Sequence, residues 1–468
     1  MIKFGTGGWR TIIGDEFTKN NIRLIGQGLC DIIKQNKQGD KPIIIGYDKR
    51  FLSDIGAKWI SEVFAGNNIQ VLYVDKNAPT PMIMFEVKRL ELYYGIAVTA
   101  SHNPALYNGI KLFTKGGRDA DKESTNILEQ AIINVKEINS IEFEEGIKKE
   151  LIKVIDPFNI YIDTILSMVD NEAIKKAGLK IVLDPMYGVS KTCLQTILLT
   201  MRCDLDIIND RHDTLFGGQL PSPSASTLTR LTQMVKEQKY DLGIGTDGDA
   251  DRLGVIDDKG NFIHPNEIMA LLYYYLVKYK GWKGDIVRNI ATTNLLDDMA
   301  KDFGYKCYEV PVGFKFISSK MEETDAVIGG ESSGGLTIRG HIKGKDGIFA
   351  ASLLVEMISV TKMKISQLLD IIYKKYGYRT MVENAYGFKM TDKEKYVNML
   401  YHDKKLPIFP FEVKNTNYMD GVKVNFKNNG WIIARFSGTE PLLRVFSEMT
   451  TKEQATKACN IMKEFLGI

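Results

Sequence analysis

The chain has 468 residues, which predicts about three or four domains, because a single hydrophobic core stops growing well before that length. Hydrophobic residues make up 44% and charged residues 25% of the sequence, as in ordinary globular proteins. The formal net charge of +3 favours neither nucleic-acid binding nor a polybasic membrane patch. No stretch of the sequence reaches the apolar length of a membrane span.

Cysteine usage indicates a reducing environment. The sequence has five cysteines, Cys30, Cys193, Cys203, Cys307 and Cys459. An odd number, wide spacing and the lack of a CxxC pair argue against a disulfide framework or a zinc site. The first residues, MIKFGTGGWR, do not contain the apolar region of a secretory signal. We therefore expect the protein in the cytoplasm.

Strand-like and helix-like segments alternate along the chain. A buried strand is predicted at 42–48 (PIIIGYD), followed by a helix over AKWISEVFAGN and a second strand over IQVLYVD. The same order recurs in two later blocks, with strands predicted at 179–188, 240–257, 284–293, 305–313 and 325–331. Alternation of this kind predicts βαβ units with parallel or mixed sheets.

The domain boundaries are predicted from changes in this pattern. Segment 115–155 is charged and predicted to be helical, a long helix is predicted at 264–281, and the pattern changes after 373–380. We predict three related α/β domains with mixed sheets and a smaller C-terminal α+β domain. Their predicted ranges are 1–150, 151–260, 261–374 and 375–468.

The first candidate loop is GIAVTASHNP, in which Ser101 and His102 follow a predicted strand. The end of a strand is where an α/β sheet usually presents functional groups. A serine hydroxyl is a weak nucleophile unless it is activated or already modified. Neighbours on an extended chain point to opposite faces, which argues against a simple Ser–His dyad. An Asx-type turn at a strand end is the structural alternative.

The second candidate loop, GTDGDADRLG, carries three acidic residues at alternate positions. On an extended segment this spacing puts Asp247, Asp249 and Asp251 on one side, where they repel unless a cation neutralises them. Oxygen ligands suit Mg²⁺, Mn²⁺ or Ca²⁺ rather than zinc. An EF-hand is excluded because Arg252 and Asp258 stand where it needs glycine and glutamate. A solvated acidic turn remains the alternative.

The third candidate loop, GGESSGG, permits two functional interpretations. It contains the G-x-S-x-G pattern of a hydrolase nucleophile elbow, centred on Ser332. A hydrolase triad would need a later histidine, and only His341 and His402 follow. Glu331 and Ser333 could equally bind sugar hydroxyls, and a plain flexible turn is the structural alternative.

The fourth candidate loop, ARFSGTEPLLR, has the composition of a phosphate site. Arg435 and Arg444 flank hydroxyl groups and a glycine that exposes backbone N–H groups, at Ser437, Gly438 and Thr439. The segment FGTGGWR near the start of the chain offers a smaller site of the same kind. Each segment taken alone could be a surface loop.

The four loops together predict phosphoryl transfer to a small, polar, phosphorylated substrate, with a divalent ion held by the carboxylates. The motifs TASHNP, GTDGDADR, GGESSGG and RFSGTEP occur in the order of the α-D-phosphohexomutase family, which the chain resembles over nearly its full length. The resemblance implies four domains arranged around one central cleft.

The resemblance also implies a phosphoserine mechanism. Ser101 matches the serine that gives its phosphoryl group to a hexose monophosphate and takes a phosphate back from the hexose 1,6-bisphosphate intermediate. Mg²⁺ is implied as the metal, held by Ser101 and the three carboxylates of Asp247, Asp249 and Asp251. Glucose 1,6-bisphosphate is implied as activator and intermediate.

Further site residues are carried over by the same resemblance. Lys111 matches a proposed general acid/base, His102 flanks the phosphoserine, and Arg10 and Arg252 match cationic positions near the transferring group. The implied substrate-binding residues are Glu331, Ser333, His341, Lys345, Arg435, Ser437, Gly438, Thr439 and Arg444.

The third loop also bears on the preferred sugar. Family members that prefer glucosamine or mannose phosphates often carry a histidine directly after the Ser-Gly pair, where this sequence has Gly335. The continuation to His341 and Lys345 resembles phosphoglucomutases, so we expect glucose phosphates as substrates. The alternatives are a phosphomannomutase or dual-specificity mutase and, more distantly, a serine hydrolase using Ser332. We expect small sugar phosphates as partners, no nucleic acid or membrane, and a monomer or dimer.

Overall fold

The computed structural model describes residues 2–5, 7–436 and 442–468. The chain forms two compact units. One contains Met1–Ile268 and Ser333–Ser366, and the other contains Met269–Ser332 and Gln367–Ile468. Within the described ranges, no helix is both long and apolar enough to cross a bilayer.

The first sheet belongs to the first unit and has mixed strand directions. Its strands are β1 (Trp9–Ile12), β2 (Ile43–Tyr47), β3 (Val71–Asn77), β4 (Tyr94–Val98), β5 (Tyr107–Thr114), β6 (Arg118–Asp119) and β7 (Ile152–Ile155). The accompanying helices are α1 (Lys19–Gln35), α2 (Ser53–Gly66), α3 (Thr80–Arg89), α4 (Lys122–Asn134) and α5 (Phe143–Lys148). The order is β1-β5-β4-β2-β3-β7, with β6 beside β5.

Strand directions explain where this sheet presents its loops. The strands β4, β2, β3 and β7 run parallel, while β5 is antiparallel to β4. Every residue of β2 is buried, because helices cover both faces of a central parallel strand. The predicted strand at 42–48 is therefore confirmed.

Two expectations for the first domain need correction. Segment 115–155 is not helical throughout, because it also supplies β6 and β7. In β7 the β-branched residues Ile152, Val154 and Ile155 favour a strand, and this strand pairs with β3. The first sheet thus extends beyond the predicted boundary at residue 150.

The second sheet, also in the first unit, positions the acidic loop. Its strands are β8 (Lys180–Asp184), β9 (Asp204–Ile207), β10 (Leu242–Thr246), β11 (Leu253–Ile256) and β12 (Phe262–Ile263), in the order β12-β11-β10-β8-β9. The helices of this segment are α6 (Phe158–Met168), α7 (Asn171–Ala177), α8 (Lys191–Thr200) and α9 (Thr229–Gln238). Because β12 pairs with β11, the sheet extends past the predicted boundary at 260.

The third segment again alternates helices and strands. Its elements are α10 (Pro265–Lys278), β13 (Ile286–Asn289), α11 (Leu295–Phe303), β14 (Cys307–Val310), α12 (Phe314–Thr324), β15 (Ile328–Gly330), β16 (Leu336–Ile338), α13 (Gly347–Thr361) and α14 (Ile365–Tyr376). Strand β13 lies between β14 and β15 and runs parallel to both. The long helix predicted at 264–281 is confirmed by α10.

The C-terminal segment belongs to the second unit and is an α+β structure. Its elements are β17 (Thr380–Gly387), α15 (Lys393–Val397), β18 (Val413–Asn417), β19 (Val422–Phe426), β20 (Trp431–Phe436), β21 (Leu442–Met449) and α16 (Lys452–Leu466). The strands form an antiparallel sheet in the order β17-β21-β20-β19-β18. Val445 and Met462 lie in one apolar core that joins this sheet to α16.

Candidate active site

Ser101 lies in the loop after β4 and has an unusual backbone conformation. Its φ of +52° is in the left-handed region, which residues with a Cβ atom seldom adopt. The side chain is buried, and Oγ donates a hydrogen bond of 2.8 Å to Asp247 Oδ2. The strained residue is thus the one whose hydroxyl reaches the acidic loop.

The three aspartates of the acidic loop form one cluster between β10 and β11. Their side chains are buried, and one carboxylate oxygen from each lies within 4.8 Å of the others. Burial, together with Asp251 and Asp249, raises the pKa of Asp247 well above its usual value. The three carboxylates therefore converge as expected, but on a turn, in which Ala250 N donates to Asp247 O at 3.0 Å, and not on the extended segment that the prediction assumed.

Two lysines and a threonine contact this cluster from the same unit. Lys111 Nζ lies 2.5 Å from Asp249 Oδ2 and 2.6 Å from Asp251 Oδ2. Lys345 Nζ lies 2.8 Å from Asp251 Oδ2, and Thr80 donates a bond of 2.6 Å to Asp249. Burial lowers the pKa of Lys111, but Asp249 and Asp251 outweigh burial and raise it.

The acidic cluster fits a hard divalent cation. Asp249 Oδ1 and Asp251 Oδ1 are buried, and neither accepts a hydrogen bond from the described part of the chain. Buried carboxylate oxygens seldom remain without a partner, and a metal ion is one explanation for those that do. An all-oxygen donor set suits Mg²⁺ or a similar ion rather than zinc.

Cationic side chains surround the neighbouring loop. Arg10 Nη1 donates to Asn103 Oδ1 at 2.8 Å, and the backbone N–H of Arg252 donates to Asp247 Oδ1 at 3.0 Å. His102 Nδ1 lies 3.4 Å from Ser101 Oγ. Burial, followed by the charges of Arg252 and Arg10, lowers the pKa of His102 well below its usual value. The imidazole is therefore neutral near pH 7.

Lys345 occupies the space that a side chain at position 335 would take. A Cβ atom built on Gly335 would lie 2.2 Å from Lys345 Cδ, far inside contact distance. Gly335 also pairs with Arg252 through an isolated antiparallel bridge. The glycine and the lysine are therefore coupled, because the small residue allows Lys345 to reach Asp251.

His341 has the surroundings of a structural histidine. Its side chain is only 2% exposed, and its Nε2 lies 2.7 Å from Asp346 Oδ2, which also accepts a hydrogen bond from Tyr161. The rings of Phe85 and Phe349 pack against the imidazole. This geometry gives no support to the prediction that His341 binds substrate.

The second unit contains Glu331, Arg435 and Arg444 among the predicted substrate residues. Glu331 Oε1 accepts hydrogen bonds from Gly313 N at 3.0 Å and from Asn289 Nδ2 at 3.2 Å. Arg435 and Arg444 are paired directly across β20 and β21. Asp420 accepts from Arg435 Nε at 2.8 Å, so the two facing arginines and this carboxylate together carry a net positive charge that suits a bound anion.

The structure gives less information on the remaining predicted substrate-binding residues. Ser333 is exposed in the turn between β15 and β16. Ser437, Gly438 and Thr439 lie outside the described residues.

Sequence reasoning missed several residues near Ser101 and the carboxylates. Thr80 gave no signal, because a threonine at a helix start is common. Asp48 and Arg50 directly follow the buried strand β2, so the strand-end argument applied to Ser101 could have identified them. Asp119 is a further acidic neighbour. Burial raises its pKa, and the charges of Lys345 and Lys111 offset part of this effect.

Comparison with protein-family models accounts for most of the chain. Models described as phosphoglucomutase/phosphomannomutase α/β/α domains I, II and III match residues 1–139, 159–260 and 264–376, and the C-terminal domain model matches residues 388–464. The chain is 31% identical to the phosphoglucomutase/phosphomannomutase of Thermococcus kodakarensis, over 97% of this chain and 95% of that relative. The chain belongs to the α-D-phosphohexomutase family.

Other phosphohexomutases are similar over the same length. The chain is 28% identical to the phosphoglucosamine/phosphogalactosamine mutase of Sulfurisphaera tokodaii, over 99% of this chain and 98% of that relative. A solved structure of a Thermus thermophilus protein, assigned as a phosphomannomutase, matches with a TM-score of 0.87 at 25% identity, covering 100% of this chain and 99% of that chain. The predicted family and fold class are confirmed.

Proposed function

We propose that the protein is a mutase that interconverts hexose 1-phosphates and hexose 6-phosphates through a phosphoserine at Ser101, with glucose phosphates preferred. The contact between Ser101 Oγ and Asp247 Oδ2, at 2.8 Å within the acidic cluster, carries this proposal. It joins a hydroxyl group that can carry a phosphoryl group to a site that fits a divalent ion. Family membership supports the reaction class.

The reaction transfers a phosphoryl group twice. In the first transfer the bond between Ser101 Oγ and phosphorus breaks, and the free hydroxyl oxygen of a hexose monophosphate bonds to phosphorus. The hydroxyl proton passes to a side chain of the site, and Ser101 Oγ takes up a proton. In the second transfer the other phosphate of the hexose 1,6-bisphosphate returns to Ser101, and the protons move in reverse.

Individual side chains are assigned roles within this scheme. Lys111 and His102 are the candidates for the proton transfers from the sequence motif, and the lowered pKa of His102 makes its imidazole the weaker base of the two. Arg10 and Arg252 supply positive charge beside the Ser101 loop, since both charges act on His102. Mg²⁺, held by the phosphorylated Ser101 and the three aspartates, would neutralise charge on the transferring group.

The second unit is assigned the rest of the substrate. Glu331 has backbone and amide donors that fix its carboxylate, which supports a role in binding sugar hydroxyls. Ser333, which belongs to the first unit, is assigned to sugar hydroxyls from the sequence motif. Arg435 and Arg444 are assigned to the phosphate that is not being transferred, since their facing charges favour an anion. Ser437, Gly438 and Thr439 are assigned to the same phosphate from the sequence motif.

Two observations bear on the preferred sugar. Gly335 and Lys345 follow the phosphoglucomutase-like pattern, and the space near Gly335 is filled by Lys345. Glucosamine phosphate is the second candidate, because the Sulfurisphaera tokodaii relative bears the name phosphoglucosamine/phosphogalactosamine mutase. Mannose phosphate is a further alternative. The cytoplasmic location and a monomeric or dimeric state remain sequence predictions.

Phosphopeptide mass spectrometry combined with kinetics tests the proposal. The protein incubated with glucose 1,6-bisphosphate should carry one phosphoryl group on the peptide that contains Ser101. Ser101→Ala should lose this phosphorylation and at least about a thousandfold in turnover of glucose 1-phosphate. Ser61→Ala is the matched control, because Ser61 is also buried but donates its hydrogen bond to Ala57 O within α2. Turnover by Ser101→Ala equal to that of the control would refute the proposal.

A substrate panel tests the sugar preference separately. We expect the highest kcat/KM for glucose 1-phosphate among the 1-phosphates of glucose, mannose and glucosamine. A higher value for glucosamine 1-phosphate would leave the phosphoserine reaction intact and replace only the assigned substrate. Reaction of Ser332 with a fluorophosphonate probe, without mutase turnover, would favour the hydrolase alternative instead.

A further inference from the structure

Arg50 is a buried arginine whose guanidinium group binds the backbone of the Ser101 loop. Its Nη2 donates to Ser101 O and Asn103 O, each at 2.6 Å. Its Nη1 donates to Pro104 O at 2.8 Å and to Tyr107 O at 2.9 Å. One planar side chain therefore holds four carbonyl groups of a single loop.

The amide side of Ser101 is held by the same segment of the chain. Ser101 N donates to Thr99 Oγ1 at 2.8 Å, and Thr99 Oγ1 donates to Asp48 Oδ2 at 2.5 Å. Asp48 Oδ1 in turn accepts from Arg50 N at 2.9 Å. The amide of Ser101 is thus held by Thr99, which Asp48 orients, and the carbonyl of Ser101 is held by Arg50.

This arrangement explains how Ser101 keeps an unfavourable backbone conformation. A left-handed serine persists only where the surrounding structure enforces it. Arg50 is 2% exposed, and its guanidinium lies 4.8 Å from the centre of the Phe216 ring, so a second loop covers it. The guanidinium group of Arg50 donates its hydrogen bonds to backbone carbonyls, and it is too buried to contact a substrate.

We propose that Arg50, with Asp48 and Thr99, positions Ser101 by locking its two peptide groups so that Oγ stays on Asp247. This inference rests on the proposed role of Ser101 as phosphoryl carrier. Arginine is required because four acceptors need a planar fork of N–H donors, which a lysine ammonium cannot reproduce. The segment GYDKR would then serve phosphoryl transfer without touching the substrate.

Two independent sets of variants test whether Arg50 and Thr99 hold the peptide groups of Ser101 in place. Arg50→Lys keeps the charge but removes the fork. Thr99→Val removes the hydroxyl on the amide side while keeping the shape, and Thr99→Ser retains the hydroxyl. Arg23→Lys is the matched control for an arginine-to-lysine change, because Arg23 pairs with Glu62 through Nη2 in the same domain and stands outside the site.

The expected result is a change in kcat without a matching change in KM. Misplacement of a reacting group by about 1 Å lowers the rate about a hundredfold. We therefore expect Arg50→Lys and Thr99→Val to lose about a hundredfold in kcat. Their KM should stay within about threefold, because substrate contacts are unchanged. Thr99→Ser and Arg23→Lys should retain kcat to within about threefold.

Hydrogen exchange supplies a readout that does not depend on turnover. Peptides covering residues 99–107 should exchange about tenfold faster in Arg50→Lys and Thr99→Val than in the unchanged protein. Peptides from α1 and α2 should exchange at the same rate. Mn²⁺ binding by the unphosphorylated protein should remain within about threefold, because three of the four proposed ligands are carboxylates of another loop.

The outcomes separate this inference from the proposed function. Unchanged kcat and exchange in Arg50→Lys and Thr99→Val would overturn the lock, while an inactive Ser101→Ala would still support the phosphoserine. Equal losses of kcat in Arg50→Lys and Arg23→Lys would show that Arg50 only stabilises the fold, and would overturn the inference. If Arg50→Lys does not fold, the Thr99→Val and Thr99→Ser pair decides. No phosphorylation of Ser101 in the unchanged protein would refute the proposed function, whatever the exchange shows.

Discussion

Ser101 Oγ and Asp247 Oδ2 are joined by a hydrogen bond of 2.8 Å although the two residues are 146 positions apart in the sequence. The serine follows β4 of the first sheet, and the aspartate follows β10 of the second. Both sheets belong to the first unit. The carrier serine and the acidic cluster therefore meet within one compact unit, and perturbing either loop should affect the same chemical step.

Our first prediction concerns the acidic cluster and its cation. Asp249→Asn replaces a carboxylate that has a buried oxygen without a hydrogen-bond partner among the described residues. If that oxygen binds a divalent ion, the loss of charge should weaken Mg²⁺ binding at least about tenfold and lower turnover accordingly. Isothermal titration with Mg²⁺ and turnover before and after chelation measure both effects.

Asp15→Asn is a matched control for this prediction, because Asp15 is exposed and lies outside the cluster. Chelation should abolish the turnover of this control and of the unchanged protein, and Mg²⁺ should restore it. Full activity in thoroughly chelated protein would show that the cluster works without a divalent ion.

Our second prediction concerns Gly335 and Lys345. Gly335→Ala places a Cβ atom against the stem of Lys345 and should displace its ammonium from Asp251. Lys345→Met removes the ammonium directly. If Gly335 acts by making room for Lys345, each change should lower kcat/KM at least about tenfold, and the double variant should be no worse than Lys345→Met alone.

Steady-state kinetics on the two single variants and the double variant complete this cycle. Losses that add in the double variant would show that Gly335 acts independently of Lys345.

The loops that carry chemistry were largely predictable because strand-end positions and residue chemistry are local features. The triad Asp247, Asp249 and Asp251 was found from its alternation over five residues, but its carboxylates converge on a turn, with Ala250 at a φ of +63°, and not on an extended segment. Ser101 was identified by its place after a predicted strand. The α10 helix was also predictable, since its apolar run is long and uninterrupted.

The missed features depend on contacts between distant segments. Nothing local in the sequence tells that Arg50 binds carbonyls more than 50 residues away, or that Lys345 reaches Asp251 past Gly335. The packing of His341 also depends on a distant segment, because Phe85 stacks on its ring. The strand β7 was missed because it lies in a charged segment predicted to be helical, and β12 because it has only two residues.

Our third prediction concerns Asp420, which positions one of the paired arginines. Asp420 Oδ2 accepts from Arg435 Nε at 2.8 Å and from Val312 N at 2.8 Å. Asp420→Asn weakens the bond that orients Arg435, so KM for glucose 1-phosphate should rise about tenfold if Arg435 binds the phosphate that is not transferred. Phosphorylation of Ser101 should persist.

The control for this prediction is Asp403→Asn, whose carboxylate is exposed and pairs with Lys405. It should leave KM unchanged in the same assay. A fall in kcat with constant KM in Asp420→Asn would assign Arg435 to the chemical step instead of to phosphate binding.

Our last prediction concerns a buried charge network in the second unit. Lys423 on β19 is 1% exposed, and its Nζ lies 2.7 Å from Glu309 Oε2. Arg288 also contacts Glu309 Oε2, at 2.6 Å. Burial and the charge of Arg288 lower the pKa of Lys423 to about 8, although Glu309 offsets part of the shift.

This lowered pKa should make the stability of the second unit depend on pH. The pKa of Lys423 is about 8 in the folded protein and 10.5 in the unfolded chain. Between these pH values the unfolded chain binds more protons than the folded protein, so the contribution of Lys423 to stability rises with pH. Below pH 8 the buried ammonium of Lys423 destabilises the folded protein by its full amount.

Lys423→Met removes this titration. The stability of this variant relative to the unchanged protein should therefore fall by about 3 kcal/mol from pH 8 to pH 10.5. Hydrogen exchange of peptides from β14 and β19, compared between the two proteins at each pH, measures the difference. Lys427→Met is the control, because Lys427 is exposed and pairs with Glu412 at the surface. If Lys427→Met and Lys423→Met show the same pH dependence, the network around Glu309 does not hold Lys423 at a lowered pKa.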